Sequence, residues 1–330
     1  MKHLNEYITE RLRINKDLKV NQYTVKPKTT QDLRELLRER VKQDKNADLN
    51  DIDVSGITDM AFLFNNVNPH KIDISEWDVS NVTDMSMMFA KCKNLRCDLS
   101  KWNVSNVRKM NCMFDLCEKF TSDLSEWDVS NVTNMSNMFN ECNNFNSDLS
   151  KWDVSKVENM YSMFNECRKF NSDLSKWDMR NVRTIDVMFE NCKNFNSDIS
   201  KWKLDKCTSA CNAFYGCENL DSDVSEWNVS NIEHLGGLFM KCKKFSSDVS
   251  KWNVSKCKNM IRTFYGCEDF NSDISNWNVS NVNYAEEMLC GCKKFCQDLS
   301  KWNISNMDES NYKNMFYDTS MKNEYMPKRK

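Results

Sequence analysis

Tryptophan stands at positions 77, 102, 127, 152, 177, 202, 227, 252, 277 and 302, always 25 residues apart, and these ten are all the tryptophans in the chain. An Asp-apolar-Ser triplet precedes each one, from Asp73-Ile74-Ser75 to Asp298-Leu299-Ser300. Cysteine keeps the same step from Cys92 to Cys292. A fixed period of this length predicts a stack of like units, each burying its apolar face only against its neighbours. The 330 residues therefore need not split into the two or three globular domains that such a length otherwise suggests.

From Asp73 onward the unit has two halves with different periods. Trp127 and Val129 alternate with Glu126, Asp128 and Ser130, which predicts a short strand with alternate side chains facing inward. Val132, Met135, Met138, Phe139 and Cys142 step by three and four, which predicts the buried face of a helix of about three turns. Ser130 or Asn131 supplies a capping group at the junction. The expected fold is an α/β repeat, a leucine-rich-repeat-like solenoid with one short strand and one short helix per coil. Residues 1–26 form an amphipathic segment and link, and 27–50 a helical N-terminal cap with Thr29 or Thr30 at its start and Leu33, Leu36, Leu37 and Val41 on its apolar face. About ten repeats occupy 51–307, and 308–330 is a C-terminal cap with a basic tail. The first coil is degenerate: Ile52 and Val67 stand where later coils carry tryptophan and cysteine.

Leu124, Trp127 and Val129 occupy the places of Leu-x-x-Leu-x-Leu. Together with Phe145-Asn146-Ser147-Asp148-Leu149-Ser150-Lys151-Trp152-Asp153-Val154-Ser155 and Met135-Ser136-Asn137-Met138-Phe139, they give a repeat that resembles the BspA-like leucine-rich repeat of bacterial surface proteins, mycoplasma lipoproteins and some gut-bacterial phage proteins. The stretch from Lys28 to Ser55 is similar to the leading segment that often precedes such arrays. The resemblance covers about 28–316 and implies the fold, together with a role in adhesion or interaction. Exported members carry a signal or lipobox cysteine, whereas Met1-Lys2-His3-Leu4-Asn5-Glu6-Tyr7 has the features of neither. Within the family this implies a cytoplasmic setting, bacterial or phage-infected, and a signal-less member. A phage-encoded host-factor or defence antagonist, or a virion accessory protein, is the expected kind.

The remaining columns have structural readings. Asp148 and Asp173 belong to a register of aspartates, each followed two residues on by serine, which suits an Asx-turn better than a calcium ladder with its several ligands per ion. Nine of the sixteen cysteines, Cys142 and Cys167 among them, share one repeat position. On helices packed roughly 8–10 Å apart they would be too distant to bridge, and they read as reduced, buried hydrophobes. Trp127, Trp152 and Trp177 read as core. Cys207 with Cys211, and Cys290, Cys292 and Cys296, have no histidine nearby to complete a zinc site, so neither metal nor cofactor is expected. No phosphate loop, nucleophile elbow or paired carboxylates stand apart from the repeat, and the chain is read as non-enzymatic. No apolar run reaches membrane-spanning length.

A partner is sought on the outward strand face. The net charge of −2 argues against a general polyanion binder, yet Lys151, Lys156, Lys176, Arg180, Lys201, Lys203 and Lys206 gather in the middle coils. They are the expected partner-binding patch, for a protein first and for nucleic acid second, since no aromatic residues interleave with them for base stacking. A surface adhesin is a third reading, from the resemblance alone.

Overall fold

The computed structural model describes residues 23–328. The expectation for 1–20 therefore lies outside the described residues.

One unit serves for all. Asp123 Oδ1 accepts the Ser125 amide at 3.0 Å, and Asp128 Oδ1 accepts that of Ser130 at 3.0 Å. Each Asx-turn bends the chain, and the apolar residue beside it enters the core: Leu124, Trp127, Val129 and Val132 are all buried. From Met135 onward the amides take two destinations in turn. Those of Met135, Asn137, Phe139 and Glu141 donate to carbonyls of the next coil, at Asn159, Tyr161, Met163 and Asn165, over 2.8–3.0 Å. Those of Met138, Asn140 and Cys142 fold back to carbonyls three residues earlier. Asn137 and Glu141 have φ of +54° and +57°, the left-handed conformation that type II turns require at their third residue.

The expected strand and helix in each unit are thus both replaced by linked turns. Among the described residues the sole α-helix is α1, Thr30–Gln43, and inter-coil pairing is limited to isolated parallel bridges such as Lys109↔Asn134↔Asn159. The physical reason lies in the spacing of the stack. Bonded neighbours sit about 4.8 Å apart, and a helix needs roughly 8–10 Å. Successive i→i+3 turns put Val132, Met135, Met138 and Cys142 on one face at the spacing a helix would give, so the pattern was ambiguous. The same geometry removes the argument that helical separation keeps the cysteines apart: the Glu141 amide beside Cys142 bonds directly to the next coil, at Asn165 O.

The interior is a set of columns. Trp227 and Trp252 stack with ring centroids 6.3 Å apart and 3° between planes. Phe114, Phe139 and Phe164 follow at 5.6 Å, and Phe145 lies 4.0 Å from Phe139 within its own coil. Every Trp Nε1 from Trp77 to Trp302 donates to a backbone carbonyl one coil back, Trp127 to Leu99 at 3.0 Å and Trp177 to Leu149 at 3.1 Å. The side chain therefore fills the core while its N–H keeps a partner there.

The two ends are capped differently because the ladder is polar. Each coil's turn-segment amides point to the next coil, so the first coil presents unbonded carbonyls and the last presents amides. At the first end, Thr29 and Asp32 form a reciprocal capping box that starts α1, whose Leu33, Leu37 and Val41 are buried. Thr30 Oγ1 donates to the Asp59 carbonyl at 2.6 Å and Arg34 Nη2 to that of Ala61 at 2.8 Å, replacing the donors of a missing coil. Val25 pairs with Ile52, extending the stack by one short rung. At the far end the amides of Ala285, Glu287, Leu289 and Gly291 donate to Asn311, Lys313, Met315 and Tyr317. The residue step here is two longer than elsewhere, so the cap continues the ladder after a two-residue insertion, with Met315 buried at the place of Met138, Met163 and Met288 in the preceding coils.

Candidate functional site: two exposed faces

The tryptophan side carries the charged patch expected from the sequence, and the structure neutralises part of it. Lys151 Nζ lies 2.5 Å from Glu126 Oε1. Arg180 forks onto Asp178 of its own coil, with Nη2 2.6 Å from Oδ2. Lys156 and Lys206 each donate to an asparagine of the preceding coil, Asn131 and Asn181, at 2.7 Å. Lys101 and Lys251 pair with Glu76 and Glu226 at 3.3 Å, so inter-coil pairing is the habit of this column. Lys176, Lys201 and Lys203 are exposed and make no ion pair among the described residues. Ion pairs thus neutralise two of the seven, and of the five others Lys176, Lys201 and Lys203, on two neighbouring coils, make no side-chain hydrogen bond among the described residues either.

The structural columns have definite partners. Asp148 Oδ1 and Asp173 Oδ1 each accept a serine amide, of Ser150 and Ser175, at 2.9 Å. The Ser150 amide holds the Asp148 carboxyl below its ordinary range, and the serine hydroxyl adds to this. Cys142 and Cys167 direct Sγ at the carbonyls of Phe114 and Phe139, at 3.1 and 3.0 Å, and burial pushes both thiols well up. Such thiols are donors, with little thiolate character. Among the described residues no cluster of histidine, cysteine or carboxylate is arranged to hold a metal ion. None of the helices there is long and apolar enough to cross a membrane.

The second face was missed. Where a helix was expected, the turn segment holds four positions per coil outside the core columns, most of them half-buried or exposed although Ser162, Gly216 and Gly237 are buried, and these repeat least. In successive coils they read Ser136, Asn137, Asn140 and Glu141, then Tyr161, Ser162, Asn165 and Glu166, then Asp186, Val187, Glu190 and Asn191. Cys211, Asn212, Tyr215 and Gly216 come next, followed by Gly236, Gly237, Met240 and Lys241, then Ile261, Arg262, Tyr265 and Gly266. Tyr161 and Tyr284 are 43% and 49% exposed on this side. The signal lay in the sequence: these columns vary while the tryptophan side stays constant. Their assignment to a packed helix hid it.

A hollow of about 350 Å³ lies on this face, lined by Glu190, Asn212, Tyr215, Met240, Ile261 and Arg262, where Gly236 and Gly237 contribute no side chain. Gly237 has φ +67°, and a Cβ there would meet Asn212 Oδ1 at 1.9 Å. Glycine thus lets the Asn212 amide lie across the backbone of the next coil. Lys241 Nζ sits 5.3 Å over the Tyr215 ring and donates to its hydroxyl at 3.2 Å, while Arg262 pairs with Glu287 at 2.7 Å. Desolvation, followed by the neighbouring Glu166 charge, raises the pKa of Glu190. Aromatic, aliphatic and paired charged groups thus surround a bare glycine dip on this face.

Units that repeat in sequence, bond only to their neighbours and vary on one exposed side define a tandem-repeat protein. The chain belongs to the family described as "Mycoplasma protein of unknown function, DUF285", which matches in three overlapping stretches, 31–136, 116–224 and 208–328. Neither a curated protein nor a solved structure gives a significant match.

Proposed function

We propose that this chain is a non-enzymatic repeat scaffold for protein–protein interaction, a solenoid of the BspA-like leucine-rich-repeat kind, whose partner reads the turn face. The observation that carries the reading is the concentration of non-repeating side chains on that face, around the hollow beside Gly236 and Gly237. The core columns serve stacking. A reducing, cytoplasmic setting accords with the thiol column, in which Sγ is directed at a carbonyl.

Lys176, Lys201 and Lys203 favour the second reading, a polyanion bound on the tryptophan side. Two triple variants separate the two. One removes turn-face groups (Tyr215→Ser, Met240→Ser, Arg262→Glu), and the other reverses the free cations (Lys176→Glu, Lys201→Glu, Lys203→Glu). Capture from lysate of the source cell, with and without nuclease, is expected to fail for the first variant only and to be indifferent to nuclease. Loss confined to the second variant, together with nuclease sensitivity, would establish the polyanion reading instead.

A further inference from the structure

The column that ends the turn segment has a neutral habit. Asn171 and Asn196 donate their amides to Asn146 Oδ1 and Asn171 Oδ1, at 2.9 and 2.8 Å, and Asp221 continues the ladder onto Asn196 at 3.0 Å. Near the first end of the stack the same column carries Lys71 and Arg96, directly bridged to each other as neighbours. Like charges placed opposite one another destabilise parallel neighbours, and with lysine at 71 the Arg96 amide has no asparagine Oδ1 to continue the ladder that Asn46 begins. Beside them, His70 stands exposed in the column that later coils fill with buried Leu95, Phe120 and Phe145. Two columns thus leave their stabilising residue at one place.

These residues converge. His70, Lys71, Arg96 and Lys119 line a hollow of about 370 Å³, completed by Asn46 and Asn94, and no carboxylate lines it. Lys119 is held there by Asn94 Oδ1 at 2.6 Å. Lys71 and Arg96 make no ion pair among the described residues; Asp73, Asp98 and Asp123 line an adjoining hollow with them, and each of these carboxylates accepts the amide of the serine two residues on, at 3.0–3.1 Å. The backbone is tied on both sides: the Arg96 amide donates to the His70 carbonyl at 2.6 Å and the Lys71 amide to Asn46 Oδ1 at 3.2 Å.

We propose that this hollow binds a phosphoryl group. A carboxylate would satisfy one guanidinium and leave the other donors unmet, whereas a phosphoryl group brings nearly two charges and three strong acceptor oxygens. The site is distinct from the turn-face hollow and does not depend on the reading of that face. The test uses the full chain at low salt, titrated with inorganic pyrophosphate and, separately, with a phosphoserine peptide, against Lys71→Asn with Arg96→Asn, which restores the column's own residue. Pyrophosphate is expected to shift the His70 ring resonances and raise the melting temperature of the unsubstituted protein. The variant should lose at least tenfold in affinity, and without anion it should melt higher than the parent. A peptide response that the variant abolishes identifies protein-borne phosphate as the source, and a response to pyrophosphate alone identifies a free one. Binding by the variant within twofold of the parent, or a parent response no greater than that to chloride at equal ionic strength, overturns the proposal.

Discussion

Each tryptophan in the stack contributes twice, once in buried apolar area and once in hydrogen bonding. Leu149 O accepts both the Trp152 amide and Trp177 Nε1, each at 3.1 Å. Trp177→Ala should therefore cost about 3–5 kcal/mol, as large-to-small core changes do. Trp177→Phe keeps a ring in the column and drops the N–H, and the cost should fall to about 0.5–1.5 kcal/mol beyond the ring difference, because Leu149 O retains one partner. Chemical denaturation of the two variants separates the terms. The left-handed column offers a test of opposite sign. Val187 has φ +62°, where a β-branched side chain is strained and asparagine, present in this column as Asn137 and Asn212, is tolerated. Val187→Asn should stabilise by about 1 kcal/mol. A destabilisation measured by the same method would mean that the isopropyl group makes packing contacts worth more than the strain.

The element of this chain is the Asx-turn and the linked turns that follow it. Asp123, Asp148, Asp198, Asp223 and Asp248 each have their carboxyl lowered first by a serine amide. Asp53 is brought to about 2, chiefly by its bond from Lys26. A carboxyl lowered in the folded state contributes stability that is complete above its unfolded value and lost as pH falls through the folded one. The melting temperature should thus be flat from neutrality to about pH 5 and fall below about pH 4. The groups are largely solvent-exposed, so each contributes little and the effect is one of number. Asp148→Asn with Asp248→Asn keeps both turns and should flatten the fall; an unchanged acid profile would place the acid sensitivity elsewhere. The period, the inward tryptophan and cysteine columns, the Asp-x-Ser turn and the capped helix at Leu33, Leu37 and Val41 were all legible in the sequence. What was not legible was the backbone between Val132 and Cys142. Hydrophobic spacing reports which side chains share a face, and linked turns share it as a helix does. Only the left-handed residues distinguish the two, and most of them here are not glycine. Glycine marks these positions in the later coils alone, Gly237 in the column of Asn137 and Gly216, Gly266 and Gly291 in that of Glu141. That one ambiguity displaced the candidate site, because it put the variable columns inside a packed layer and left the lysines as the sole irregularity in view.

At the scale of the molecule, each hydrogen bond between coils among the described residues joins adjacent coils, and none skips one. Cysteine chemistry should reflect this layering. With the protein native, a thiol reagent should reach Cys296 first and the half-buried Cys97, Cys112 and Cys211 more slowly, while the column from Cys92 to Cys292 stays silent. In denaturant all sixteen should titrate. A denatured count short by four or more would reveal bridges between coils and argue for an oxidising compartment. The absence of spanning contacts has a hereditary side as well. Cutting out residues 151–175 joins Ser150 to Lys176, the residue pair that Ser150 and Lys151 already form, and sets Lys176 beside Glu126 in place of Lys151. Nothing above or below the cut meets a new neighbour type at the tryptophan, phenylalanine or cysteine columns. An in-frame loss or gain of one unit is therefore a silent edit for folding, and the gene can lengthen or shorten the exposed turn face one coil at a time, with both caps untouched.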